Sequence, residues 1–234
     1  MSIYTLSDLH LAFGVDKPMD IFGYGWENYM EKIHTNWINT IKENDTVIVG
    51  GDISWGTYLD DIKPDFDFLE SLPGRKILLK GNHDYWWESL TKLRKFTQDM
   101  HYTTIDFLHN TAFIAENTAI CGTRGWIDPS SDNFKSDDQK IYLRELGRME
   151  LSLIEGAKSN PKKVIAVLHY PPVTKSGNIN EDYLELFKKY SVDICIYGHL
   201  HSASHKNAFE GNTDGIDFRL VSSDYVHFTP QKLT

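Results

Sequence analysis

The stretch Lys76-Ile77-Leu78-Leu79-Lys80-Gly81-Asn82-His83-Asp84 places an amide, an imidazole and a carboxylate directly after a short apolar strand. Burying such polar groups costs free energy unless they bind something. Four other stretches show the same order of apolar strand and polar cluster: Leu6-Ser7-Asp8-Leu9-His10, Gly50-Gly51-Asp52, Val167-Leu168-His169-Tyr170-Pro171 and Tyr197-Gly198-His199-Leu200-His201. Ligands bind at the carboxyl ends of strands in α/β sheets, so five such ends indicate one site.

The first half of the chain alternates strands and helices, which is typical of a mainly parallel sheet. Apolar periodicity predicts a helix over 27–43 and another over 59–69, interrupted by Pro64. A third helix is predicted over 87–98. Three short strands over 102–108, 111–116 and 118–123 then predict an antiparallel meander that forms a second sheet.

The second half continues with a long helix, for which we expect an inward face of Leu143, Leu146, Leu151 and Ile154 over 138–157. Further elements follow in the order strand 163–168, helix 180–190, strand 193–197 and a hairpin of 204–210 with 216–222. We find no internal repeat or linker. The sequence therefore predicts a single α/β domain over 1–234 with two sheets.

Composition limits the partners and the compartment. The formal net charge of −9 over 234 residues disfavours nucleic acid as a partner, although a local basic patch stays open. Cys121 and Cys195 lie in apolar runs and are expected to be buried, reduced thiols. No apolar segment reaches the roughly 18 residues of a membrane span. We expect a cytoplasmic protein without membrane contact.

The five strand ends supply a set of oxygen and nitrogen donors without a thiolate. The set consists of the carboxylates of Asp8 and Asp52, the imidazoles of His10, His169, His199 and His201, and the amide oxygen of Asn82. These donors are too many for one zinc ion but suit two borderline divalent ions with a bridging carboxylate. Manganese, iron and zinc are all candidates for these cofactors.

The five blocks, in this order from Asp8 to His201, resemble those of the calcineurin-like metallophosphoesterase superfamily. The resemblance implies an αββα sandwich of two mixed β-sheets flanked by helices, with a dinuclear metal site at the strand carboxyl ends. It implies a first metal held by Asp8, His10 and His201, a second held by Asn82, His169 and His199, and Asp52 between them. It also implies that His83 contacts the phosphate and protonates the leaving oxygen.

One position departs from the family pattern. Many members carry an aspartate after the second block that orients the equivalent of His83, whereas this chain has Trp55 there. We therefore predict either that Asp84 or water orients His83, or that His83 is a weaker acid than the resemblance implies. Asp84 could also cap a helix that starts at Tyr85, and the two roles are compatible.

Residues near the blocks are candidates for substrate contacts. Arg124 ends an apolar strand and could bind a phosphate oxygen or form a surface ion pair. Trp55 and Tyr170 could stack on a base or an aromatic leaving group, although aromatic residues at such positions are more often core. Lys175, in the loop after His169, could face the substrate, although this is the less favoured interpretation of that residue. We expect loops 12–26, 124–136 and 170–180 to select the substrate.

The predicted function is a dinuclear metal-dependent phosphoric-ester hydrolase, with a metal-bridging hydroxide that attacks phosphorus in line. The substrate would be a small phosphorylated molecule or a nucleotide. A nuclease with the same site and a catalytically idle scaffold are the alternatives. The sequence does not distinguish monoesters from diesters, and it does not fix the metals or the oligomeric state.

Overall fold

A computed structural model of the chain describes residues 1–17 and 19–234, except for the side chains of Phe22 and Tyr24. Pro18 and the side chains of Phe22 and Tyr24 belong to the loop over 12–26 that is expected to help select the substrate, so this part of the prediction lies outside the described residues. The helices are α1 (Tyr29–Thr40), α2 (Lys63–Ser71), α3 (Leu90–Asp99), α4 (Ser136–Ala157) and α5 (Glu181–Lys189). The strands are β1 (Ile3–Thr5), β2 (Thr46–Val49), β3 (Arg75–Leu78), β4 (Ile105–Phe107), β5 (Ala112–Ala115), β6 (Thr118–Thr123), β7 (Lys163–Leu168), β8 (Ile194–Tyr197), β9 (Gly211–Thr213), β10 (Ile216–Leu220) and β11 (Gln231–Lys232).

The strands form two mixed sheets. The first has the order β11-β1-β2-β3-β4, in which β1 to β4 are parallel and β11 is antiparallel. The second has the order β5-β6-β7-β8-β10-β9, with parallel strands in the centre and antiparallel strands at both edges. The predicted α/β fold with two mixed sheets is confirmed.

Alternation along the strands builds three apolar layers. In β2, Ile48 points into the layer between the sheets, where it packs with residues such as Ile165 of β7. Its neighbours Val47 and Val49 point to the opposite face, which α1 and α2 cover with Trp37 and other residues. The outer face of the second sheet packs against α4 and α5. The result is the predicted αββα sandwich.

The predicted antiparallel meander is wrong. β4 pairs in parallel with β3 and completes the first sheet, and only β5 and β6 form an antiparallel pair. The burial of Ile105 and Phe107 in the layer under α2 and α3 places β4 there. The local sequence marks a strand but does not specify its partner strand.

The inward face predicted for α4 is also wrong. Leu143 and Leu151 are 53% and 51% exposed, and Ile154 is 40% exposed, whereas Leu146 is half-buried. The helix instead buries a face that includes polar and small residues: Tyr142, Glu145, Met149, Ser152, Leu153 and Gly156. The Ser152 hydroxyl accepts the N–H of Gly122 at 2.8 Å, so hydrogen bonds to the second sheet help define this face.

Several helices and strands begin or end at residues other than those predicted from the sequence. Pro64 lies in the first turn of α2 and does not interrupt it, because proline lacks the N–H that a first turn leaves unpaired. The Ser89 side chain caps α3, which therefore begins at Leu90 rather than at residue 87. The tail hairpin is β9 with β10, and residues 202–207 form a 3-10 helix in place of the first predicted strand.

Both cysteines are buried and free, as expected. No helix in the described part of the chain has the length and apolar character needed to cross a membrane. The assignment of 1–234 to one domain stays a prediction.

Candidate metal centre

The seven predicted ligands lie together at one edge of the sandwich. Strands β1, β2 and β3 are parallel within the first sheet, and β7 and β8 are parallel within the second. The loops that leave these five strands carry the ligands. A parallel bridge between Ser7 and Ser222 joins the two sheets at this edge.

The first group of donors is Asp8, His10 and His201. Nε2 of His201 lies 3.1 Å from Oδ1 of Asp8 and 3.2 Å from Nε2 of His10. All three donor atoms lie within 4.8 Å of one another. Donor atoms at this spacing could all bind the same metal ion.

The second group is Asn82, His169 and His199. Oδ1 of Asn82 lies 2.7 Å from Nε2 of His169 and 2.8 Å from Nδ1 of His199. Asp8, Asp52 and His169 also place donor atoms within 4.8 Å of one another. The second group is therefore contiguous with the first through the two aspartates.

Asp52 faces both groups. Its Oδ2 lies 3.8 Å from Nε2 of His10 and 3.4 Å from Nε2 of His169. Its Oδ1 accepts the backbone N–H of His83 at 2.8 Å. One carboxylate oxygen of Asp52 is thus aimed between the groups, while the other fixes the loop of the third block.

The loops hold these residues in unusual backbone conformations. Asp8, His10, Asp52 and His199 have φ values of 58°, 47°, 50° and 70°, in the left-handed region that residues other than glycine rarely adopt. Such conformations cost free energy and are concentrated at functional sites. Each one turns the chain sharply after a strand and points the side chain into the shared cluster.

Burial and charge set the protonation of the cluster. Burial lowers the pKa of His10 and of His199 to about 4, which favours the neutral imidazole that binds metal. Burial alone would raise the pKa of Asp8 and Asp52, but His201 and His169 hold both well below the usual range. Against the opposing effect of burial, the same carboxylates raise the pKa of His201 to about 10 and that of His169 to about 8, and a divalent ion bound at these nitrogens would replace the protons. Buried carboxylates, imidazoles and an amide oxygen in one cluster fit divalent metal ions.

Asp224 joins the cluster although the sequence interpretation missed it. Its Oδ1 lies 3.0 Å from Nδ1 of His201 and 3.2 Å from Nε2 of His205. It follows β10 in the stretch Ser222-Ser223-Asp224, which is another polar cluster after an apolar strand. A search of residues 216–224 for an apolar strand followed by a polar cluster would have identified Asp224.

His83 lies beside the cluster, and no carboxylate of the described residues pairs with its ring. Its ring centre is 4.7 Å from that of Trp55, whose ring also stacks on His10 at 4.7 Å. Nδ1 of His83 is buried and has no hydrogen-bond partner among the described residues. Trp55 therefore contacts His83 through its ring, at the position where the sequence departs from the pattern of many members.

The Asp84 carboxylate makes no hydrogen bond to the His83 ring among the described residues, so a direct role of Asp84 in orienting His83 stays a prediction. The Asp84 carboxylate accepts the backbone N–H groups of Ile53 at 2.9 Å and Gly81 at 2.7 Å, and the indole N–H of Trp86 at 3.1 Å. These bonds tie the loop of the third block to that of the second. The residues after Asp84 form a turn, and α3 begins at Leu90, so Asp84 caps no helix at Tyr85.

Arg124 and Tyr170 occupy the side of the second donor group. The Tyr170 ring lies 4.3 Å from that of His199 and 5.3 Å from that of Trp126. Arg124 stacks on Trp126 at 4.4 Å, and its Nη2 lies 3.5 Å from Oε1 of the buried Glu145. The ion pair of Arg124 is thus partly buried rather than on the surface.

A pocket of about 580 Å³ opens next to His199 and Tyr170. Two of the three loops expected to select the substrate line it, with Trp126 to Asn133 on one side and Pro171 to Lys175 on the other. Lys175 therefore lines a pocket that borders the cluster. The third loop lines a separate groove of about 760 Å³ against α1, which reaches Trp26 beside His10.

The fold and the cluster together define a metal-dependent phosphoesterase. The sequence profile of the family described as calcineurin-like phosphoesterase matches residues 1–203, and the chain belongs to that family. Comparison with curated proteins gives no match.

Solved structures share the fold. A protein of unknown function from Aquifex aeolicus is 17% identical, with a TM-score of 0.50 and coverage of 99% of this chain and 95% of that one. The phosphopantetheinyl hydrolase of Mycobacterium tuberculosis is 12% identical, with a TM-score of 0.52 and the same coverages. A Thermus thermophilus protein is 13% identical, with a TM-score of 0.52 and coverage of 99% and 97%.

Proposed function

We propose that the chain hydrolyses phosphoric esters of small molecules at a centre of two divalent ions. Asp8, His10 and His201 would hold one ion, and Asn82, His169 and His199 the other. The position of Asp52, with Oδ2 facing His10 and His169, carries this proposal because a carboxylate between two donor groups suits a metal pair. Manganese, iron and zinc all suit these donors.

The protein residues would supply positioning and proton transfer. Two divalent ions acidify water and neutralise charge on phosphoryl oxygens when bound. His83, half-buried against Trp55, would contact a phosphoryl oxygen and, in its imidazolium form, donate a proton to the leaving oxygen, becoming the neutral imidazole. The bond from its backbone N–H to Asp52 keeps the His83 loop in register with the cluster.

The pocket beside His199 supports a small organic group as the other half of the ester. Its 580 Å³ is within the range of small-molecule sites, and Lys175, Asn133 and Asn207 offer it a cation and two amides. The net charge of −9 weighs against a long polyanion. Esters of the phosphopantetheine type belong in the substrate panel, because a protein with this fold is named as their hydrolase.

The test is a panel of phosphomonoesters, phosphodiesters and plasmid DNA with manganese present, in wild type, Asp52→Asn and the control Asp99→Asn, at an exposed ion pair of α3. We expect hydrolysis of a small ester, a loss of at least about a hundredfold in Asp52→Asn, and wild-type rates in the control. Unchanged activity in Asp52→Asn would refute the proposal. Cleavage of plasmid DNA alone would favour a nuclease.

A further inference from the structure

A cation-rich cleft lies between the ends of β3 and β6 and one face of α4. Its lining includes Lys80, His109, Arg124 and Arg148, and its base is a cavity of about 20 Å³. Among the described residues that line it, Glu145 is the single carboxylate. One lysine and two arginines therefore line the cleft with a single carboxylate, in a protein whose net charge is −9.

Glu145 forms a close ion pair with only one of these cations. Its Oε1 lies 2.7 Å from Nη1 of Arg148, but 3.5 Å from Nη2 of Arg124 and 3.9 Å from Nε of Arg144. Its Oε2 accepts the hydroxyl of Thr123. Arg124 thus shares Glu145 with Arg148, which lies closer to it, and Lys80 forms no ion pair among the described residues.

Arg124 carries the most specific signal. Its side chain is only 15% exposed, and its Nε is buried with no hydrogen-bond partner among the described residues. A buried donor left unpaired costs about 1–3 kcal/mol, and more when it is charged. The stack on Trp126 holds the guanidinium plane but satisfies none of its N–H groups. A bound acceptor would remove this cost.

His109, on the same cleft, also lies close to positively charged side chains. Burial and then the charge of Arg148 lower the pKa of His109. Like charges held this close repel one another, and an anion between them would relieve the repulsion.

The cleft adjoins the second donor group. Lys80 precedes Asn82 by two residues, so their Cα atoms are within about 7 Å of each other. The carbonyl of Arg124 accepts the backbone N–H groups of His169 and Tyr170, both at 3.0 Å. A molecule held at the metal centre could therefore extend a second group toward Lys80 and Arg124.

We propose that Lys80, Arg124 and Arg148 form a binding site for a phosphate group, distinct from the phosphate at the metal centre. The cavity holds about one oxygen atom, so one phosphate oxygen would enter it and the others would stay at the mouth near Lys80. Asn110 brings a buried amide oxygen without a partner, and a half-turn of that amide would offer N–H donors instead. If the bound group is a second phosphate of the ester substrate, the inference rests on the proposed function.

The direct test is NMR of the arginine Nε–H groups in the metal-loaded protein during titration with inorganic pyrophosphate. Arg124→Lys assigns the Arg124 signal. We expect that signal to shift saturably in wild type, with affinity about tenfold lower in Lys80→Met and unchanged in Arg94→Met, which removes an exposed guanidinium from α3. An Arg124 signal that does not move, or equal affinity in Lys80→Met, would overturn the proposal.

A kinetic comparison identifies the source of the phosphate group. Phosphate release is measured from adenosine 3′,5′-bisphosphate and adenosine 5′-monophosphate. A ratio of their kcat/KM values that falls about tenfold in Lys80→Met assigns the site to the substrate's second phosphate. An unchanged ratio with a shifted Arg124 signal assigns it to free phosphate. Lack of turnover of the whole ester panel would refute the proposed function, whereas the NMR titration would still decide on the cleft.

Discussion

The imidazole of His201 lies between two carboxylates, with Nδ1 3.0 Å from Oδ1 of Asp224 and Nε2 3.1 Å from Oδ1 of Asp8. The backbone N–H of Ser202 donates to the other Asp224 oxygen at 2.9 Å and fixes that carboxylate. A carboxylate behind a ligating histidine orients the ring, sets its tautomer and raises its basicity. We infer that Asp224 positions His201 for the metal.

Replacing Asp224 with asparagine should therefore weaken metal binding by about 10–100-fold. Metal titration of the purified protein measures this change. Asp217→Asn is the matched control, because Asp217 lies on β10 and pairs only with Arg219 among the charged residues described. Wild-type affinity in Asp224→Asn would show that Asp224 merely fixes the backbone at Ser202.

Replacing His83 with alanine should lower kcat by about 10²–10⁴-fold while the metal content stays unchanged. The reason is that His83 lies beside the donor groups, against Trp55, and is a member of neither. Metal analysis and steady-state kinetics on the best ester of the panel test this. The exposed His227→Ala should change neither quantity. A His83→Ala protein that loses metal would place His83 among the ligands.

Replacing Asp84 with asparagine should lower stability rather than turnover. An amide can keep the bonds from Ile53 and Trp86 on its oxygen, but its NH₂ group would then face the N–H of Gly81. One unpaired buried donor costs about 1–3 kcal/mol. Urea unfolding with metal present measures the loss, and Asp99→Asn, at an exposed ion pair with Lys95, serves as the control. A drop in kcat without a change in stability would instead mean that Asp84 acts on His83.

The strand ends were predictable because each combines a strand and its polar residues in one short stretch. Asp8, Asp52 and His169 lie within three residues of the ends of buried strands, and parallel pairing brings such ends to one edge. Asp224 follows β10 in the same way, but its tail stretch matches no family block. The order of strand and polar cluster thus locates the site more completely than the family resemblance does.

The missed features depend on partners that are distant in sequence. β4 joins the first sheet because Ile105 and Phe107 pack under α2 and α3, which no local pattern encodes. α4 turns Glu145 and Ser152 inward because they bond to Thr123 and Gly122 of β6. Hydrophobic periodicity classifies each residue by its own polarity, so it predicts that polar residues such as Glu145 and Ser152 lie on the surface.

A buried carboxylate away from the metal centre should make stability depend on pH. Oδ1 of Asp65, in α2, accepts the N–H of Phe13 at 2.7 Å, and the hydroxyl of Ser54 donates to Oδ2. Burial raises the pKa of Asp65 from 3.8 to about 6, and these hydrogen bonds offset only part of that rise. The folded state therefore favours the protonated acid. This contribution to stability is complete below about pH 3.8 and is lost as pH rises through about 6.

Asp65→Asn is neutral at every pH and isolates the effect. The unfolding free energy of wild type minus that of Asp65→Asn should fall by up to about 3 kcal/mol between about pH 4 and pH 7. Urea unfolding across this range measures the difference. Asp67→Asn, on the same helix, should show no such fall, because hydrogen bonds from Lys63 and Tyr102 lower the pKa of Asp67. A flat difference for Asp65→Asn would mean that its hydrogen bonds from Phe13 and Ser54 compensate fully for burial.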